Sequence, residues 1–104
     1  MSFEQKFEVV CKLGKRIRVS QTYWNFIITI KHPIMQDKEK QVCETLAHPN
    51  EIRISKVDKT VYLYYKQYGE RFIAVICKHL NGDGFIIATY VTDNIKEGET
   101  IWKN

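Results

Sequence analysis

VYLYYKQYGERFIAVICKHLNGDGFIIATY, residues 61–90, decides the fold. It holds three runs of β-branched and aromatic residues, 61–65, 72–78 and 85–92, parted by Gly69 and by Asn81-Gly82-Asp83-Gly84. Such runs broken by short glycine-containing turns predict consecutive hairpin-connected strands, an antiparallel meander. The polar side chains in this stretch, Lys66, Lys78, His79, Thr89 and Tyr90, are its candidates for chemistry.

Working outward, residues 52–55 read as a further short strand, with Asp58-Lys59 turning the chain into the meander. Upstream, 37–47 carries Val42, Cys43 and Leu46 on one stripe and Glu39, Lys40 and Glu44 off it, which predicts a short amphipathic helix begun by Asp37. Residues 21–32 fit both a strand period and a helix period. Ser20 as an N-cap and Pro33 as a stop favour a helix of about three turns. Residues 7–13 and 16–20 form a hairpin around Gly14-Lys15, with Arg16 and Arg18 on one face and Ile17 and Val19 on the other. The arginines there could meet phosphate, but on an edge strand such residues more often keep that edge from aggregating. Downstream, Lys96-Glu97-Gly98-Glu99 is a charged turn, and Ile101 and Trp102 dock back onto the fold. The expected architecture is α+β: an N-terminal β-hairpin and two short helices packed on one face of a four-stranded antiparallel sheet, the other face free.

A length of 104 residues supports one domain with one core. No run approaches the roughly 20 apolar residues of a membrane span, and the N-terminal stretch lacks a signal-peptide pattern, so a cytoplasmic protein is expected. Cys11, Cys43 and Cys77 are far apart, without a CxxC pair or a histidine at ligand spacing. Neither a disulfide framework nor a metal site is suggested, and the three read as small buried hydrophobes. The formal charge of +4 suits a nucleic acid or an acidic protein as partner.

The segments YWNFIITIKHPIM, VCETLAHPNEIRISKVDKTVYLYYK and FIAVICKHLNGDGFIIATYVTDNIKEGETIW together resemble small bacterial and phage proteins grouped with the barnase, EndoU, colicin and RelE-like (BECR) nuclease superfamily, its phage-associated branch included. The resemblance spans about Tyr23 to Trp102 and implies a RelE/barnase-like fold over a single domain, 1–104. It implies metal-independent cleavage of RNA, in which the ribose 2′-OH attacks its own phosphate, with no cofactor. That chemistry needs an acid and a base, together with donors around the phosphorane charge. His32 matches the family's His-Pro, Arg53 its basic strand position, Lys66 its Tyr-Tyr-Lys, and Thr89 and Tyr90 its last strand. His32, His79, Thr89 and Tyr90 are the catalytic candidates; Arg53, Lys66 and Lys78 would bind phosphate, and Tyr64 would stack on a base. RNA is the implied substrate and an antitoxin protein the implied partner. The chain departs from the family pattern at Asn25-Phe26 and Lys31-His32-Pro33-Ile34, where a second histidine and an acidic residue are absent. That departure favours the alternative of a non-catalytic nucleic-acid-binding module on the same fold; a protein-interaction domain whose basic face docks an acidic partner is the third reading.

Overall fold

The computed structural model describes residues 4–104. Strands β1 (Gln5–Val10) and β2 (Arg16–Ser20) lead into α1 (Gln21–Phe26), which continues as one π-helical turn, Ile27–Lys31. A 3-10 turn, Pro33–Met35, precedes α2 (Glu39–Ala47). Then come β3 (Glu51–Ile54), β4 (Val61–Tyr68), β5 (Arg71–His79), β6 (Asp83–Thr92) and β7 (Glu99–Lys103). All seven strands share one sheet in the order β1-β2-β6-β5-β4-β3-β7.

The meander β4-β5-β6 forms as its pattern predicts, but the four-stranded RelE/barnase-like sheet does not. The hairpin joins the sheet through a parallel pairing of β2 with β6, and β7 pairs antiparallel with β3. Both additions have a physical reason. Ile17 and Val19 line one face of β2 and are buried only if the hairpin extends the sheet. β3 is four residues long, and its outer edge would be left unpaired without β7. Arg16 and Arg18 therefore lie on an interior strand, and Arg18 Nη1 is 2.7 Å from Asp83 Oδ2 on β6.

The parallel junction spans only Arg16, Ile17 and Arg18 against Asp83, Gly84 and Phe85. Gly84 is its tightest point: a Cβ there would run into the Lys78 carbonyl and stand 3.0 Å from Ile17 Cδ1. Gly84→Ala is expected to cost about 3 kcal/mol by overpacking, read as a lower urea midpoint at unchanged slope. Beyond the junction, the Tyr23 hydroxyl of α1 donates to the Ile87 carbonyl at 2.5 Å, and the turn Pro33–Met35 packs against β6.

Ser20 caps α1 by accepting from the Tyr23 amide at 3.1 Å. The predicted helix through residue 32 instead widens after Phe26. The Thr29 hydroxyl donates to the Asn25 carbonyl, and the His32 amide reaches the Ile27 carbonyl at 2.7 Å, five residues back. Asp37 does not cap α2; it takes a left-handed backbone (φ 65°), and Lys38 holds the cap position without a side-chain bond.

Trp24, Ile27, Met35, Val42 and Leu46 pack from the helical side onto Ile17, Ile52, Tyr64, Ile73, Val75, Cys77 and Ile86. The other face is not free. The β6–β7 connection crosses it, and Ile95 packs on a second cluster of Leu63, Tyr65 and Ala74 with Ile76 and Tyr90. Cys11 and Cys77 are buried and Cys43 half-buried, all as free thiols. No helix among the described residues is long and apolar enough to cross a membrane.

Candidate functional site

The sequence-selected residues separate into three groups. His79, Tyr64 and Thr89 lie in the core. The Thr89 hydroxyl donates to the Ala74 carbonyl at 2.8 Å, a bond within the sheet. His79 stacks on Tyr62 with ring centroids 3.8 Å apart and planes 9° from parallel. Its Nε2 is 3.0 Å from the Tyr64 hydroxyl, which also lies 3.0 Å from Cys11 Sγ. With the phenol donating to sulfur, the tautomer protonated at Nε2 completes the chain. Burial, with the nearby Lys15 charge, lowers the His79 pKa to about 4. His79 is therefore a neutral structural side chain near pH 7.

That depression has a pH signature. The unfolded chain binds a proton on this group near pH 6.5 and the folded chain only near 4, so stability present above 6.5 is lost as the pH falls through that window. His79→Phe is expected to flatten the fall in melting temperature between pH 6.5 and 4; equal slopes in both proteins would contradict the burial argument.

The second group is polar but already partnered. Arg53 Nε is 2.6 Å from Glu51 Oε2, and its Nη1 donates to the Glu97 carbonyl at 3.3 Å. Burial opposes ionisation of Glu51, but bonds from Thr100 and Arg53 outweigh it and hold the carboxyl below its usual range. Lys78 Nζ is 3.3 Å from Asp58 Oδ2. Bonds from the Thr60 hydroxyl and amide, then Lys78, hold Asp58 at about 2, so this cation faces a carboxylate across the whole ordinary pH range.

His32 and Tyr90 are brought together, ring centroids 5.5 Å apart, where the turn after α1 meets β6. Tyr65 and Tyr90 belong to the same apolar cluster, and burial pushes both phenols up. His32 and His79 belong to different clusters, so no paired acid and base is formed from them.

Lys66 is different, because the fold places it in a groove of about 210 Å³ with Lys12, His48, Pro49, Asn50, Trp102 and Asn104. Four distant segments meet there. The β1–β2 tip folds over the helical side, where the Lys12 amide donates to the Leu46 carbonyl at 2.8 Å. Trp102 comes from β7, and His48 and Asn50 from the exit of α2. Both ammonium groups are oriented in advance: Lys12 Nζ sits 5.2 Å from the Trp102 ring centroid, and Lys66 Nζ donates to the His48 carbonyl at 2.8 Å. Asn50 Oδ1 accepts from the Gln67 amide at 2.7 Å, which turns the amide nitrogen away from that bond. No lining side chain is acidic.

Lys12, His48 and Trp102 were not selected from the sequence, although one signal points to Lys12. Residues 9–36 contain five cations and no Asp or Glu, so the positive charge of the chain is concentrated there. A larger cavity, about 380 Å³, lies between Gln5, Val19, Tyr23, Phe85 and Ile86. Its charged member, Arg18, is already paired with Asp83, so it offers an apolar hollow without free chemistry. Among the described residues no group of three His, Cys, Asp or Glu side chains is placed to hold a metal ion.

No protein-family model, curated protein or solved structure significantly matches this chain. The fold and groove together define a basic α+β sheet protein with a preordered cationic cleft.

Proposed function

We propose that the protein is a nucleic-acid-binding module that holds the phosphate backbone of single-stranded RNA in the Lys12–Lys66 groove. The supporting observation is the convergence of two oriented ammonium groups, the exposed His48 and the Trp102 indole in a concave surface whose lining side chains include no carboxylate. Phosphate contacts of this kind are sequence-independent and weaken with salt, about 0.7 in logarithmic slope per contact on single strands. Anisotropy of a labelled RNA oligonucleotide titrated at several salt concentrations tests the reading. Binding with a negative slope of about 1.4 or steeper supports it, whereas no binding at low salt overturns it.

A second reading, metal-independent RNA cleavage, rests on the His32–Tyr90 contact. There His32 would move a proton while the Tyr90 hydroxyl orients a phosphate oxygen. Incubating labelled RNA with the protein in EDTA separates the two. Cyclic-phosphate ends that vanish in His32→Ala support cleavage; intact RNA retained by the protein leaves the binding module alone.

A further inference from the structure

The surface of α1 and the turns after it has no role in the groove. Phe26 at the end of α1, Ile30 on the π turn and Ile34 on the 3-10 turn are 44%, 69% and 50% exposed and make a broken apolar stripe along consecutive turns. They are side chains that a folded chain ordinarily buries. The stripe does not end on flat surface: Ile34 forms one wall of a hollow of about 220 Å³ with Tyr68, Phe72, Ile73 and Val91. Its rim is cationic. Lys38 and Arg71 line the hollow, Lys31 Nζ lies 6.0 Å from the Phe26 ring, and residues 20–36 carry no carboxylate. Arg71 is bound to Asp93, while Lys31 and Lys38 are in no ion pair among the described residues.

We propose that this stripe and hollow dock an acidic amphipathic helix of a partner protein, its apolar side chains against Phe26, Ile30 and Ile34 and its carboxylates against Lys31 and Lys38. Three alternatives fit less well. A second copy of the chain would bring like charges together, since each carries +4. A membrane surface is flat and rewards a run of lysines on the polar side of a helix, but residues 21–31 hold one. Nucleic acid gains nothing from aliphatic Ile30 and Ile34. A helix with one apolar face can cover the exposed Phe26, Ile30 and Ile34 and fill the hollow beside Ile34, and acidic flanks match its rim. The docking surface is independent of the RNA groove, because the two share no lining residue.

The test uses isotope-labelled protein and a synthetic helical peptide of about 18 residues, with leucine on one face and glutamate on the other. A second peptide carries lysine in place of glutamate, and vesicles of anionic phospholipid serve as the third probe. The expected result is amide shifts confined to residues 26–38, 68–73 and 91 with the acidic peptide, little response to the basic one, and about a tenfold loss of affinity in Ile30→Glu or Lys38→Glu. Both substitutions are at sites outside the buried core, and retained spectral dispersion verifies their fold. Shifts centred on Lys12 and Lys66, no shifts at all, or vesicle binding lost in Ile30→Glu without peptide binding would overturn the proposal.

Discussion

Trp24→Ala is expected to lower the stability of the domain by about 3–5 kcal/mol, a melting-temperature drop of roughly 15–30 °C. Trp24 is fully buried and ties three elements together from α1. Its ring meets Phe7 of β1 edge to face at 5.4 Å, and its indole Nε1 donates to Glu39 Oε1 at the start of α2, 3.2 Å away. Alanine would leave a cavity between hairpin, helix and sheet and remove the Glu39 bond at the same time. Domains of this size have about 5–15 kcal/mol in total, so the variant should unfold near physiological temperature. A drop of less than about 5 °C would mean that hairpin and helices do not share this core.

The second large effect falls on binding. Lys12→Gln with Lys66→Gln is expected to weaken RNA binding by about 100-fold or more at low salt, because each charge-assisted phosphate contact contributes about 1.5–3 kcal/mol. Glutamine keeps most of the stem and an N–H able to reach the His48 carbonyl, so the fold is retained and circular dichroism should not change. His32→Ala, on the contact with Tyr90, should leave affinity as it is. Equal affinities for the parent and the double variant would remove the groove from the account.

How much of this was legible in the sequence depends on the range over which each feature is determined. The meander was readable because its register is set locally: Gly69 and Gly82 adopt left-handed backbones (φ 65° and 88°) that glycine takes without strain, between runs that alternate inward and outward. Ser20 was readable as a cap for the same reason. The parallel β2–β6 junction and the β3–β7 pair were not, because each joins short strands remote in sequence and no turn announces them.

His79 was misjudged although the signal existed. Ile73, Val75, Cys77 and His79 occupy one face of β5, and the first three mark it as the core face. Arg53 and Lys78 are recognisably basic, but the carboxylates that engage them, Glu51 and Asp58, become partners only through the geometry of β3 and of the turn before β4. Lys66 was selected as a polar side chain of the meander and again through the family resemblance, and the surroundings that now support it come from the hairpin tip, the α2 exit and β7. Assembly of that kind is a property of the coiled sheet and is carried by no single motif.

The most direct measurement is the amide and indole spectrum of isotope-labelled protein titrated with a short single-stranded RNA in EDTA. Shifts centred on Lys12, His48, Asn50, Lys66 and the Trp102 indole, reversed by added salt, are the predicted result. Shifts centred on His32, Tyr65 and Tyr90 with the groove silent, or a spectrum that RNA leaves unchanged, would contradict the assignment of the groove as the nucleic-acid site.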